Sequence, residues 1–247
     1  MDHPTHFSGS IMPNLTGKVA IVTGSTKGIG LAVAEHVVAA GGSVVVSSRT
    51  QADVEATAER LGERAIGIVC DVSDPDDCRS LVERTVRLLG RLDILVNNAG
   101  LGIFKPISEL TVEEFRLQID VNLGGVFYCS RAALKPLAES GDGFIINIGS
   151  LAGRNPFAGG TAYNASKFGV VGMTEAMMLD VRYEDIRVSM VMPGSVNTPF
   201  NDHEPSAERT WRLEPEDCAR AVMQLLDYPK EAHVSRIEMR PSQPPRK

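Results

Sequence analysis

Short apolar runs rich in valine and isoleucine alternate with longer stretches of mixed character along most of the chain. The apolar runs predict seven β-strands, over 18–23, 43–48, 65–70, 92–97, 143–150, 186–192 and 234–239. The stretches between them predict helices over 29–40, 51–61, 74–90, 111–138, 161–183 and 215–227. Nearly continuous apolar character is typical of strands that are covered on both faces. The alternation therefore predicts an α/β fold, a doubly wound parallel sheet of about seven strands with helices on both faces.

Two helix starts carry capping signatures. Thr111–Glu114 is a capping box, and Ser73–Asp76 has the same Ser-x-x-acid form with a proline in the first turn.

The 247 residues contain no long Pro/Ser linker, repeat or low-complexity segment that would divide them into domains. We expect a flexible N-terminal extension over 1–16, then a single domain over 17–247 with a short substrate lid at about 199–212. His3 and His6 lie in the extension, where nothing nearby completes a metal site. The extension lacks the basic and apolar segments of a signal peptide.

Composition excludes several classes of protein. The net charge is −6, with lysine and arginine scattered among acids, so no basic surface for nucleic acid or anionic membranes is indicated. No apolar run approaches the ~20 residues of a membrane helix. The four cysteines are widely spaced, which favours reduced thiols over a zinc site or disulfides. We therefore expect a cytoplasmic protein without a metal site.

A glycine-rich turn, Thr23–Gly30 (TGSTKGIG), joins the first predicted strand to the first helix. Gly24, Gly28 and Gly30 are spaced G-x-x-x-G-x-G, which differs from the G-x-G-x-x-G fingerprint of dinucleotide sites. The physical argument is the same, because a loop without Cβ atoms lets the backbone approach a pyrophosphate at a helix N-terminus. The turn therefore predicts a dinucleotide site.

The end of the second strand indicates which dinucleotide binds. NAD-selective sites carry a carboxylate about 20 residues past the glycines, which bonds to the ribose. Here Ser48 stands at that position, Arg49 follows, and Lys27 adds a positive charge within the glycine turn. Arginine grips a 2′-phosphate through two hydrogen bonds, so we expect NADP(H) in preference to NAD(H).

Tyr163 and Lys167 are four positions apart in a predicted helix, which places them on one face. Such a pair alone usually marks a solvated helix face. Further residues change that interpretation, because each either follows a predicted strand or lies at the spacing that one protein family shows. They are Asp71–Val72, Asn97–Gly100 (NNAG), Asn122, Ser150 and Pro193–Phe200 (PGSVNTPF). In this order, over about residues 17–200, the chain resembles the short-chain dehydrogenase/reductase family in its compact single-domain branch.

The resemblance implies a Rossmann-type fold and a set of four catalytic residues. Tyr163 is expected to exchange a proton with the substrate carbonyl oxygen, and Ser150 to donate a hydrogen bond to that oxygen. Lys167 and the oxidised nicotinamide ring are expected to lower the pKa of the Tyr163 phenol, which is near 10 in isolated tyrosine. Asn122 is expected to distort its helix and hold a water in a proton relay to Lys167.

Cofactor contacts follow from the glycine turn and the resemblance together. Asp71 and Val72 are expected at the adenine edge, Asn97 and the small residues after it beside the cofactor, and Val196 and Thr198 at the nicotinamide carboxamide. The full expected set is Gly24, Thr26, Lys27, Gly28, Ile29, Gly30, Ser48, Arg49, Asp71, Val72, Asn98, Ala99, Gly100, Tyr163, Lys167, Pro193, Gly194, Val196 and Thr198.

Substrate choice is expected to depend on segments 101–104, 153–157 and 200–211. Within these segments, Arg154 either meets an anionic substrate group or is a surface residue. Phe157 and Trp211 either line a pocket or pack against the lid. His203 is expected to be an exposed loop residue. The resemblance implies a small hydroxy acid, ketone or diketone as substrate. The alternatives are a 3-oxoacyl-thioester reductase or a catalytically silent cofactor sensor. A nucleotide-sugar epimerase would normally need a further C-terminal domain.

Small residues follow one side of predicted helix 161–183, namely Ala165, Gly169, Gly172 and Ala176. They permit close packing, either against the sheet or against a second copy of the helix. Members of the family often pair this helix across a two-fold axis, so we expect a homo-oligomer, a tetramer or dimer.

Overall fold

Seven parallel strands form one sheet in the computed structural model, which describes residues 12–202, 204–206 and 211–245. The strands are β1 (Val19–Thr23), β2 (Ser43–Ser47), β3 (Ala65–Gly67), β4 (Ile94–Asn97), β5 (Gly143–Ile148), β6 (Ile186–Pro193) and β7 (Arg236–Met239). Their order across the sheet is β3-β2-β1-β4-β5-β6-β7. The predicted doubly wound parallel sheet is confirmed.

The helices are α1 (Gly28–Ala39), α2 (Gln51–Leu61), α3 (Pro75–Leu89), α4 (Val112–Ile119), α5 (Gly125–Glu139), α6 (Thr161–Val181) and α7 (Pro215–Asp227). A π-helical turn, Asp120–Gly124, joins α4 to α5, and short 3-10 turns lie at Leu151–Gly153 and Phe200–Asp202. Among the described helices, none is long and apolar enough to cross a membrane.

Alternate residues of the central strands point to opposite faces, and both faces are covered. Ile21, Leu95 and Ile145 belong to the apolar core that includes residues of α3 and α5. Their neighbours Val22 and Val96 belong to the core formed with α1 and α7. This burial on both faces explains why the strands read as continuous apolar runs.

Two details differ from the sequence prediction. Leu15, placed by prediction in a flexible extension over 1–16, is buried, and its N–H donates to Ala40 O at 2.9 Å. The folded unit therefore includes residues 12–16; residues 1–11, with His3 and His6, lie outside the described residues. The N-cap of helix α3 is Asp74, one residue later than the predicted cap at Ser73, because the Asp74 side chain accepts from Asp76 N and Asp77 N. The capping box at Thr111 is confirmed.

Strands β2 and β3 lie on one side of β1, whereas β4 and the later strands lie on its other side. The strand order therefore reverses between β1 and β4, and a crevice forms beyond the carboxyl ends of these two adjacent strands. Buried amides fix β4 to β5 just below it. Asn97 Nδ2 donates to Asn147 Oδ1 and to Ser130 Oγ, both at 2.9 Å, and Asn147 Nδ2 donates to Thr174 Oγ1 at 2.9 Å. The network links the sheet to α5 and α6, so it holds the strand ends that form the crevice.

Candidate active site

A cleft of about 1090 Å³ opens along the carboxyl ends of the strands. It is lined by residues that follow every strand, among them Gly24, Ser48, Asp71, Asn98, Ser150, Gly194 and Pro241. All the site residues predicted from the sequence line this cleft, with the exception of Gly30 and Asn122. Asn97 is also absent from its lining, because its side chain is buried in the amide network.

The glycine turn packs directly against the segment that follows β4. Gly24 has a φ of +63°, and a Cβ atom there would lie 2.9 Å from Ala99 Cα. A Cβ atom on Gly30 would overlap the Asn98 side chain and Gly24 O. Gly30 therefore serves the close packing of α1 on this turn, which explains why it lies behind the cleft surface.

Asn98 ties the two loops together. Its Nδ2 donates to Thr23 O at 2.9 Å and Gly24 O at 3.0 Å, while Thr23 Oγ1 accepts from Asn98 N at 3.0 Å and Ala99 N at 3.1 Å. The sequence pattern predicts a cofactor contact at Asn98, but it does not reveal this anchoring. The backbone of the turn is thereby held in place before any ligand arrives.

The N-terminus of α1 faces the cleft without a side-chain cap. Lys27 occupies the N-cap position and makes no capping hydrogen bond, so the first N–H groups of the helix are open to a ligand. Gly28 has a φ of +56°, and a Cβ atom there would lie 3.3 Å from Thr198 Cγ2. A helix N-terminus favours an anion. The uncapped N–H groups, next to glycines that leave room for close approach, therefore fit the diphosphate of a dinucleotide.

Positive charge without an acidic partner marks the end of the cleft beyond β2. Lys27 and Arg49 are exposed and line the cleft, and neither makes an ion pair with any described residue. No acid lies at 47–50. Nearby, Asp71 accepts from Ser73 N at 3.0 Å and from Ser73 Oγ at 2.7 Å, which fixes its carboxylate at the cleft wall.

Tyr163 lies in the first turn of α6, and its side chain is buried at the floor of the cleft next to Ser150. Burial raises the pKa of the Tyr163 phenol, and a hydrogen bond with the Ser150 side chain opposes that rise. Ser150 Oγ also accepts from Ala152 N at 3.1 Å, which leaves the Ser150 hydroxyl proton to be donated. The two hydroxyls therefore converge where a substrate oxygen can meet both.

Lys167 is one turn further along the same face of α6, as the spacing predicts. Its Nζ donates to Ile148 O at 3.0 Å and lies 5.8 Å from the centroid of the Tyr163 ring. Burial lowers the pKa of the Lys167 ammonium to about 8. The pKa of Tyr163 is raised, because burial of the phenol outweighs the opposing hydrogen bond from Ser150. This effect works against the lowering that is expected from Lys167 and the oxidised nicotinamide ring.

Asn122 sits in the π-helical turn, so the distortion expected within helix 111–138 is present. Its side chain is buried: Oδ1 accepts from Leu101 N at 2.9 Å, and Nδ2 donates to Leu101 O at 2.9 Å and Ser166 Oγ at 3.1 Å. Ser166 Oγ in turn donates to Tyr163 O at 2.8 Å. Asn122 thus fixes the loop after β4 and the helix turn that carries Tyr163 and Lys167.

Three phenylalanines form an aromatic wall (Phe104, Phe157 and Phe200) around Tyr163. Their ring centroids lie 5.3, 6.4 and 5.8 Å from that of Tyr163, respectively. Each comes from a loop that follows a different strand, β4, β5 or β6. The sequence indicated a pocket role for Phe157, but not that the three rings meet.

Arg154, which was weighed for contact with an anionic substrate group, lies elsewhere. Arg154 does not line the cleft, because its Nη1 pairs with Glu238 Oε1 at 2.5 Å near β7, so the surface interpretation is correct. His203 and residues 207–210 of the predicted lid lie outside the described residues. Within the described part of the lid, Phe200, Asn201, Trp211 and Arg212 line the cleft. No cluster of three or more metal-ligating side chains occurs among the described residues.

Comparison with known proteins agrees with this fold. The sequence profile of the short chain dehydrogenase family matches residues 18–209. An uncharacterised oxidoreductase of Staphylococcus saprophyticus is 34% identical over 234 residues, covering 93% of this chain and 100% of that protein. The chain therefore belongs to the short-chain dehydrogenase/reductase family, a family of oxidoreductases.

Two solved structures show how similar the folds are. An alcohol dehydrogenase from the archaeon Thermococcus sibiricus, complexed with 5-hydroxy-NADP, aligns with a TM-score of 0.86 at 30% identity, covering 93% of this chain and 99% of that one. A 3-ketoacyl-(acyl-carrier-protein) reductase from Brucella melitensis, complexed with NADH, aligns with a TM-score of 0.83 at 30% identity, covering 91% and 97%. One neighbour carries an NADP derivative and the other NADH, so similarity alone does not decide the cofactor.

Proposed function

We propose that this protein is a cytoplasmic, NADP(H)-dependent oxidoreductase that interconverts a carbonyl group and a secondary alcohol in a small substrate. A small hydroxy acid, ketone or diketone is the substrate class. The convergence of Tyr163 and Ser150 in the cleft, with Lys167 one helical turn away, carries this proposal. A catalytically silent sensor would have no need for these three side chains together.

The nicotinamide cofactor, when bound, supplies hydride to the carbonyl carbon in reduction and accepts it in oxidation. The protein acts on the carbonyl oxygen. Ser150 donates a hydrogen bond to that oxygen and stabilises its developing negative charge, and Tyr163 transfers its phenolic proton to it. One hydride and one proton then give the alcohol. In oxidation the Tyr163 phenolate takes the proton back.

Lys167 supports this proton transfer through its charge. With a pKa of about 8, the ammonium is largely protonated at neutral pH and favours the phenolate of Tyr163 electrostatically. Burial of the phenol works in the opposite direction. Lys167 and the positive ring of the oxidised cofactor are proposed to offset that effect. Asn122 is proposed to position Lys167 and Tyr163 through Ser166, and its backbone distortion to hold a relay water.

The test is the loss of NADPH absorbance with a panel of aldehydes, ketones, diketones, 3-oxo acids and one 3-oxoacyl thioester. Turnover of a small carbonyl compound supports the proposal. Turnover of the thioester alone favours the alternative reductase function, which the similarity to the Brucella melitensis enzyme raises. Binding of NADPH without turnover across the panel contradicts the proposal and favours the sensor function.

The preference for NADP(H) rests on Lys27 and Arg49, which have no acidic partner among the described residues, and on Ser48 in place of a carboxylate. Replacing Arg49 with aspartate is expected to lower the ratio of NADPH to NADH affinity at least tenfold, because a charge-assisted bond is replaced by repulsion. Titration of both cofactors against the fluorescence of Trp211, the single tryptophan, measures the ratio. Arg64→Asp, outside the cleft, is the control; an unchanged ratio in Arg49→Asp would place the 2′-phosphate elsewhere.

We propose that the protein forms a homo-oligomer, a tetramer or dimer, through the outer face of α6. Ala165, Gly172 and Ala176 are exposed there beside Phe168 and Leu179, which are 46% and 56% exposed. Gly169, by contrast, packs within the chain, because a Cβ atom there would lie 2.9 Å from Leu123 Cδ2. The face therefore combines large and small apolar side chains open to a partner.

Gly172→Arg tests this surface. A Cβ atom at Gly172 meets nothing within 4 Å, and replacing a helical glycine with arginine favours the helix by roughly 0.5–1 kcal/mol. The variant is therefore expected to fold normally but to dissociate, which light scattering at micromolar concentration measures as a lower molar mass. A wild-type monomer, or a variant of unchanged mass, would contradict the proposed interface.

A further inference from the structure

The aromatic wall leaves large apolar surfaces open inside the cleft. Phe104 is 38% and Phe157 43% exposed, although both rings contact the buried Tyr163. Phe104 meets Tyr163 and Phe157 edge-on, at interplanar angles of 82° and 81°. Open aromatic surface beside converging polar groups is typical of a pocket for an apolar ligand group.

The loops hold this wall in place closely. A Cβ atom on Gly102 would lie 2.7 Å from Phe200 Cε1 and 2.8 Å from Phe104 Cζ, so the two rings close over the backbone there. On the other side, Asn164 Nδ2 donates to Ala152 O at 2.7 Å and its Oδ1 accepts from Phe157 N at 3.3 Å. Close packing over Gly102 thus fixes Phe104 and Phe200, and hydrogen bonds to Asn164 fix Phe157 beside the turn of α6 that carries Tyr163.

Cationic groups near the wall are bound to other partners. The ammonium of Lys105, next to Phe104 in sequence, pairs with Glu114, and Arg154 pairs with Glu238. Lys167 donates to Ile148 O, and the Arg212 guanidinium lies over the Trp211 ring at 5.3 Å. A carboxylate attached to the reacting carbonyl would lose its hydration against phenylalanine rings, which costs free energy without a paired cation.

We propose that the substrate carries an aryl group on its carbonyl carbon, so that the reaction interconverts an aryl ketone and the corresponding secondary alcohol. The aryl ring packs against Phe104 and Phe157, while the carbonyl oxygen meets Tyr163 and Ser150. This inference rests on the proposed function and narrows its substrate class, since it excludes small hydroxy acids as the preferred substrates.

The experiment compares kcat/KM for three methyl ketones that differ only in the second group: 1-phenylethanone, propanone and pyruvate. Burial of one phenyl group predicts about a 50-fold preference for 1-phenylethanone over propanone. Pyruvate is expected to be the poorest of the three. Loss of NADPH absorbance measures all three reactions.

Variants connect the preference to the wall. Phe104→Ala and Phe157→Ala are each expected to lower the ratio of kcat/KM for 1-phenylethanone to that for propanone about tenfold. If Phe157→Ala does not fold, Phe157→Leu, which keeps apolar volume but lacks the aromatic ring, replaces it in the measurement of this ratio. Phe115→Ala is the matched control, because Phe115 is 39% exposed on α4 and does not line the cleft.

The outcomes separate two failures. Turnover of ketones with no preference for the phenyl group, or with a ratio that these variants leave unchanged, overturns the aryl inference alone. Preference for pyruvate that is lost in Arg212→Ala also overturns it, because a carboxylate site would then lie at Arg212. Absence of turnover with all three ketones, despite bound NADPH, overturns the aryl inference, and it overturns the proposed function as well only when the wider carbonyl panel is also not turned over.

Discussion

Replacing Tyr163 with phenylalanine is expected to lower kcat/KM for carbonyl reduction by roughly 10³-fold, within the usual range for loss of a general acid. The substitution removes only the hydroxyl that bonds with Ser150, and the ring keeps its contacts with the aromatic wall. No other described tyrosine lines the cleft to supply the proton. The loss of NADPH absorbance with the best ketone of the panel measures the effect.

The controls separate chemistry from folding and binding. Tyr183 is 91% exposed, two residues past the end of α6, and does not line the cleft, so Tyr183→Phe carries the same chemical change outside the site. Quenching of Trp211 fluorescence reports whether the Tyr163→Phe variant still binds NADPH. A variant that binds NADPH and keeps more than a tenth of the wild-type kcat would exclude Tyr163 as the proton donor.

The fold could be predicted almost completely, because burial on both faces of a parallel sheet leaves a strong pattern in the sequence. The cleft followed from the same topology, since Gly24, Ser48 and Ser150 lie within two residues of strands whose carboxyl ends share one edge. Leu15 was missed because a single apolar residue in a polar segment carries no periodicity. The pattern therefore predicts elements well and short docked segments poorly.

Contacts between side chains of distant loops could not be predicted in this way. Phe104, Phe157 and Phe200 are far apart in the sequence, and only the positions of three strand ends bring their rings together. Arg154 was ambiguous for a related reason, because its partner Glu238 belongs to the last strand. The sequence thus indicated the candidate catalytic groups, whereas the side chains that surround them required the structure.

The second large effect concerns Lys167, whose burial makes it costly to the folded state. Its pKa is lowered to about 8, whereas an unfolded lysine has a pKa near 10.4. Between these values the unfolded chain binds more protons, so this group makes stability rise with pH across that window. Below pH 8 the full penalty applies, on the order of 3 kcal/mol.

Lys167→Met is therefore expected to reduce turnover at least 100-fold and to shift the activity–pH profile upward, because the phenolate loses its cationic neighbour. The same substitution removes the pH dependence described above. Urea unfolding from pH 7.5 to 10 should show the stability of the wild type rising relative to the variant by roughly 2 kcal/mol. Loss of the hydrogen bond to Ile148 O changes the difference in stability between wild type and variant equally at every pH. It therefore does not affect the slope of that difference against pH.

Lys135→Met serves as the matched control, because Lys135 is exposed on α5 and makes only an exposed ion pair with Glu139. Its unfolding should follow that of the wild type at every pH. A flat difference between wild type and Lys167→Met would mean that the ammonium has an ordinary pKa in the folded protein. An unshifted activity profile would separately contradict its action on Tyr163, so stability and catalysis test the same buried charge independently.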